Sequence, residues 1–254
     1  MEQATKWVIG NWKMHGTLAA NYELIANIRA LIPTLDDRVG MAVCPPFPYL
    51  VQVAGLLEGS GIALGAQNLS ANVRGAYTGD VAGAMLRECS AQLVLIGHSE
   101  CRAYQHEDDE LIARKVRAAL DVGLVPVICV GETRAERESQ QTQTILARQL
   151  DAVFQLLDTA ADSCIIAYEP RWAIGTGVSA TPETIAEVHG FLRSCLIAKD
   201  AKFAASTPIL YGGSLAAGNA REIAAIDNVD GGLIGSAALR AEEFATVYRA
   251  FLGV

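Results

Sequence analysis

Trp7-Val8-Ile9-Gly10-Asn11-Trp12-Lys13-Met14 is the first apolar run of the chain, and it ends in a polar turn. An open, doubly wound α/β sheet carries G-x-G-x-x-G at this place, where glycines let a pyrophosphate reach a helix N-terminus. Here Asn11 and Lys13 stand there instead. Seven further runs share the apolar character: Val39 to Cys44, Ile62 to Ala66, Leu93 to Gly97, Val125 to Val130, Cys164 to Tyr168, Pro208 to Tyr211 and Gly232 to Ile234. None alternates apolar with polar residues, so each reads as a parallel strand buried on both faces beneath helices. Between them, helical spacing recurs at Leu50, Val53, Ala54 and Leu57; at Ile112, Val116, Ala119 and Leu120; at Leu146, Leu150, Val153 and Leu157; and at Ile185, Val188, Leu192 and Leu196. Thr181-Pro182 reads as an N-cap followed by a first-turn proline. Strand then helix, eight times, with no linker, charge block or composition break, predicts a single (β/α)8 barrel over residues 1–254.

Composition agrees with that expectation and excludes other classes. The chain has 254 residues and 26.9 kDa, close to the roughly 250 residues of a closed α/β barrel. Hydrophobic residues at 51% against 19% charged rule out disorder. Twenty basic and 28 acidic residues give a net charge of −8 with the cations scattered, which argues against nucleic acid and against an anionic membrane. The longest apolar stretch, Leu124 to Val130, is too short to cross a bilayer, and MEQATKW at the amino terminus lacks the pattern of a secretory signal, so the expected location is the cytosol. The six cysteines form no C-x-x-C pair and read as buried reduced thiols, and the four histidines are too dispersed for a metal cluster.

A barrel places its active site at the carboxyl ends of the strands. Those ends offer Asn11 and Lys13, then Gln67 and Asn68, then His98, Ser99 and Glu100, then Glu132 and Glu169. Gly212-Gly213-Ser214 and Gly235-Ser236 follow the last two strands, where barrels bind phosphate through backbone N–H groups. A lone Lys after a strand is ordinarily a solvated charge, a lone His a structural group and Gly-Gly-Ser a turn. His189, beside an apolar helical stripe, needs no chemical role. Glu169 stands out, because an acid at the end of an apolar strand is desolvated and its pKa is expected to rise toward that of a base useful near neutrality. The loop Pro170 to Gly177, apolar at its centre and glycine-rich at its end, reads as a lid in which Gly175 offers its N–H to an anion.

G-N-W-K-M at 10–14, G-H-S-E at 97–100, A-Y-E-P at 167–170, W-A-I-G-T-G at 172–177 and Y-G-G-S at 211–214 together resemble the triosephosphate isomerase family over nearly the whole chain. The resemblance implies a TIM barrel that interconverts dihydroxyacetone phosphate and D-glyceraldehyde 3-phosphate through an enediolate, in glycolysis and gluconeogenesis, with neither metal nor organic cofactor. It implies Glu169 as the base, neutral His98 as the group that polarises the carbonyl, and Lys13 as fixed positive charge. Asn11, Lys13, Gly175, Ser214, Gly235 and Ser236 would hold the phosphorylated triose. Glu100 and Cys129 match positions near the site. The loop from Gln67 to Gly79, with Thr78 at its tip, resembles one that this family inserts into a neighbouring subunit, so a homodimer is expected, with His15 near the contact. His15, Cys101, Arg171 and Ser236 depart from the family's usual residues; Ser236 is expected to keep a negative φ and still donate its N–H. Two other readings remain at this point: an aldolase forming a Schiff base on Lys13, and an inactive barrel kept as a binding protein.

Overall fold

The structure, a computed structural model, describes residues 6–159, 163–173 and 180–253. Eight strands run in chain order: β1 (Lys6–Asn11), β2 (Val39–Cys44), β3 (Ala63–Ala66), β4 (Leu93–Ile96), β5 (Val125–Val130), β6 (Ile165–Tyr168), β7 (Ile209–Tyr211) and β8 (Gly231–Ile234). Each pairs in parallel with its sequence neighbour, and β1 pairs with β8, so the sheet closes into a barrel. The (β/α)8 expectation is met. Period two is present inside the continuous apolar runs: Ile9, Ala42, Leu95, Val127, Ala167 and Leu210 fill the barrel, while Val8, Val43, Val94, Ile128, Ile166 and Ile209 face the helices. Both faces are dry, which is why the sequence shows no alternation.

Helices lie outside. The four stripes read from sequence fall on Leu50–Leu57, Asp109–Asp121, Thr142–Phe154, which ends before Leu157, and Pro182–Lys199, and the Thr181 hydroxyl caps the last by accepting from the Thr184 N–H. Two further long helices lie outside those four stripes. Leu18–Leu31 buries Asn21 beside Ile25 and Ile28, with the Asn21 amide donating to Gln52 at 3.1 Å. Ala241–Leu252 ends at Gly253 in the left-handed conformation. Among the described residues no helix is long and apolar enough to cross a membrane. Of the six cysteines, Cys44, Cys129 and Cys164 are buried. Cys89, Cys101 and Cys195 are half-buried, against the sequence expectation, because they sit in or beside outer helices rather than in strands.

Candidate functional site

At the carboxyl ends of the strands lies a cavity of ≈ 360 Å³ whose walls include Asn11, Lys13, His98, Glu169, Ser214, Gly235 and Ser236. Barrel closure brings these strand ends together from across the chain. Gly175, the remaining residue expected to bind substrate, lies outside the described residues.

Lys13 is held in an unusual conformation. Its φ is +52°, a left-handed value that a side chain with a Cβ disfavours by about 1 kcal/mol. Asn11 Oδ1 accepts the Lys13 N–H at 2.9 Å, and Gln67 Nε2 donates to the Lys13 carbonyl at 2.8 Å and to the Cys44 carbonyl at 2.8 Å. Asn11 and Gln67 therefore fix the turn that aims the ammonium, which donates to Glu100 at 2.7 Å. A Schiff-base mechanism would first have to break that ion pair.

His98 precedes a helix, Ser99–Tyr104, whose first turn shapes its chemistry. The Glu100 N–H donates to His98 Nδ1 at 3.2 Å, so in the neutral ring the proton sits on Nε2. Nε2 faces Glu169 Oε1 at 3.1 Å, while Glu169 Oε2 accepts the Ser99 N–H at 2.8 Å. Burial by itself would raise the Glu169 pKa, but the His98 ring beside it, then the Ser99 N–H and Lys13, outweigh burial and pull it below the ordinary carboxylate value. The rise expected from sequence is thus reversed. Burial likewise disfavours the His98 imidazolium, yet the Glu169 charge outweighs it and raises that pKa. Opposing this is the N–H on Nδ1, since an imidazolium would set N–H against N–H.

The far wall is backbone. A Cβ on Gly212 would lie 2.8 Å from Glu169 Cγ, and one on Gly213 would lie 2.2 Å from the Tyr211 hydroxyl, so both positions exclude a side chain. Ser236 begins a short turn, Ser236–Leu239, and is not among the described residues with positive φ, as expected for a serine without strain. The first N–H groups of such a turn have no partner within it and can face an anion. The Lys13 stem passes over Gly235, 3.5 Å from where a Cβ would stand.

Comparison with known proteins accounts for this constellation. The family profile described as triosephosphate isomerase matches residues 6–251. The chain belongs to the triosephosphate isomerase family. It is 50% identical to the triosephosphate isomerase of Cupriavidus taiwanensis, over 95% of this chain and 98% of that one, and 48% identical to that of Ralstonia nicotianae, over 98% and 100%. A solved triosephosphate isomerase from Bartonella henselae superposes with a TM-score of 0.87 at 37% identity, covering 98% of this chain and 99% of that one.

Several strand-end residues prove to be supports in this triosephosphate isomerase barrel rather than walls of the cavity. Glu132 is fully buried and gathers the Tyr168 hydroxyl at 3.1 Å and Trp172 Nε1 at 2.9 Å, with Arg137 stacked 4.9 Å over the Trp172 ring. Asn68 joins Lys115 and Glu107 in a neighbouring network. Cys129 packs inside the barrel, where burial first and Glu169 second push its thiol well up, so it stays protonated. Arg240 also lines the cavity, ion-paired with Glu243 at 2.7 Å; nothing in its sequence context singles it out. Of the departures, His15 lines the cavity, Cys101 Sγ lies 3.7 Å from Asn68, and Arg171 donates its N–H to the Glu132 carbonyl at 3.1 Å.

Proposed function

We propose that the interconversion of dihydroxyacetone phosphate and D-glyceraldehyde 3-phosphate takes place in this cavity with Glu169 as the base. The supporting observation is the buried Glu169 carboxylate in contact with His98 Nε2, in the same cavity as Lys13 and the glycine-rich wall. Glu169 removes a proton from the carbon beside the carbonyl; the C–H electron pair becomes the enediolate double bond and the carbonyl pair moves onto oxygen. That oxygen accepts from His98 Nε2, and the Lys13 ammonium offsets the charge. Returning the proton to the neighbouring carbon, with an O–H proton moved between the two oxygens through His98, completes an isomerisation without net oxidation. Nε2 cannot donate to Glu169 and to substrate at once, so binding must open the contact between His98 and Glu169. Ser214, Gly235 and Ser236, with Gly175, hold the phosphate, and Asn11 holds Lys13 in place beside it.

A coupled isomerase assay tests this reading. Glu169→Asp withdraws the carboxylate by roughly 1 Å, which lowers kcat about a hundredfold while KM stays within about threefold. An unchanged kcat rejects Glu169 as the base.

The same proposal includes a homodimer and a cytosolic place in glycolysis and gluconeogenesis, a reading that membership of the family supports. Beside the first cavity a second, of ≈ 710 Å³, shares Asn11, Lys13 and His98 with it and is walled by Phe47, Glu100 and Lys115. Thr78 and Tyr77 are exposed on their own subunit, and Met14 at the rim is 93% exposed. Insertion of a second copy's loop there would cover this apolar rim and prop the Lys13 turn.

A further inference from the structure

His189 lies on the helix Pro182–Lys199 with no exposed surface, outside the barrel and behind the residues that line the site cavity. The site ends of β6 and β7, and the turn that enters β8 at its opposite end, nevertheless meet at its ring. Edge-on, it meets Tyr168, with ring centroids 6.0 Å apart and planes at 82°, and it lies tilted against Tyr211 at 6.4 Å. Tyr168 and Tyr211 are register partners on β6 and β7. Glu169 follows the first and Gly212-Gly213-Ser214 the second. The imidazole Nδ1 lies 2.9 Å from the carbonyl of Asn228, in the turn that leads into β8 and hence to Gly235 and Ser236. Asn228 is left-handed, at φ +63°, a conformation that asparagine adopts more readily than other residues with a side chain.

The tips of both tyrosines reach toward the site. Tyr168 donates to Glu132, which also holds Trp172. The Tyr211 hydroxyl sits directly beneath Gly213, since a Cβ there would meet it at 2.2 Å. A shift of the Tyr211 ring therefore moves the phosphate-facing backbone above it. We propose that His189 is a positioning residue for the phosphate wall: its ring, wedged between Tyr168 and Tyr211 and tied to Asn228, sets the height of Gly213 relative to Glu169. Among the described residues Nε2 has no hydrogen-bond partner, and it is fully enclosed, so a polar group is buried unpaired where an apolar ring would bury none. Burial holds it neutral, with a pKa of about 4, and a neutral Nδ1–H donates to the Asn228 carbonyl.

The inference rests on the phosphate assignment made above, and inorganic phosphate as a competitive inhibitor separates the two. If phosphate does not compete with dihydroxyacetone phosphate in the unaltered protein, that assignment fails and this inference with it. Given competition, His189→Asn and His189→Gln, which remove the ring, are expected to raise KM and the phosphate inhibition constant about fivefold, with a smaller change in kcat. His189→Phe, which restores a ring, recovers most of that loss. Inhibition constants within twofold of the unaltered protein in a folded ring-less variant overturn the proposal, even where thermal stability falls, because support of the fold alone would not act on phosphate. A second reading needs no variant folded without the ring. In ¹⁵N-histidine-labelled protein above pH 5, phosphate is expected to shift the His189 ring nitrogens, identified by their absence from His189→Phe; unmoved resonances at saturating phosphate overturn the proposal.

Discussion

Gly212→Ala isolates the position of the base from the grip on phosphate. The new Cβ would stand 2.8 Å from Glu169 Cγ and 3.1 Å from the Tyr168 carbonyl oxygen, against about 3.4 Å for an ordinary contact. The Tyr168 carbonyl cannot give, because it accepts the Gly212 N–H at 2.7 Å within the barrel. The Glu169 side chain must therefore retreat by roughly 0.6 Å, carrying its carboxylate away from the position it holds against Ser99 and His98. If about 1 Å of misplacement costs on the order of a hundredfold, a shift of this size lowers kcat between about tenfold and thirtyfold. KM should change little, since the N–H groups that face phosphate begin beyond Gly212. Gly213→Ala is the natural partner experiment. Its Cβ would overlap the Tyr211 hydroxyl at 2.2 Å, so the strain there falls on the phosphate wall and appears in KM and in phosphate inhibition. Steady-state kinetics in both directions of the isomerisation, on variants whose circular dichroism matches the parent, measures the two effects. Gly212→Ala with kcat within twofold of the parent, or with its whole deficit in KM, would show that Glu169 is not confined as argued.

Acid should act through His189, whose nearest polar groups are the Asn228 carbonyl, the two tyrosines and Arg193, itself paired with Asp230. The folded pKa of about 4 lies below the ordinary value of 6.5, so the unfolded chain binds the extra proton and stability falls as pH drops from 6.5 toward 4, by roughly 3 kcal/mol from this group. Denaturant unfolding at pH 7 and pH 4 should show that loss in the parent and a correspondingly smaller one in His189→Phe; equal losses would remove His189 as the cause. Ser236→Gly should leave kcat near the parent value and change phosphate inhibition by no more than about tenfold, because Ser236 is not strained and adds at most one modest hydrogen bond. Sedimentation should find a dimer that Thr78→Arg converts toward monomer with loss of activity, and a fully active monomer at micromolar concentration would refute the assembly.

Much of the architecture was legible because the forces that set it are local. A strand dry on both faces must be apolar throughout, so Val39 to Cys44 and Val125 to Val130 declare themselves with their observed bounds. Thr181 caps its helix through a residue three places on. Lys13, His98 and Glu169 were legible for a related reason: in a barrel, a polar residue just past an apolar strand is at the site wherever that strand lies in the chain. The helix Leu18–Leu31 was less legible, since its buried Asn21 is satisfied by Gln52, a partner no local pattern announces.

What the tertiary structure alone decided are quantities that depend on a few ångströms between distant residues. Desolvation of Glu169 follows from its strand, but the direction of its pKa follows from His98 at 3.1 Å and the Ser99 N–H at 2.8 Å, contacts made only when β4 and β6 take their places around the closed barrel. The left-handed turn at Lys13 depends on Gln67 reaching across from the end of β3. His189, unremarkable in its own helix, meets Tyr168 and Tyr211 because β6 and β7 pair in that register. Periodicity records which side of an element is buried; it carries no record of which partner lies opposite, and charge, strain and hydrogen bonding depend steeply on that partner's distance.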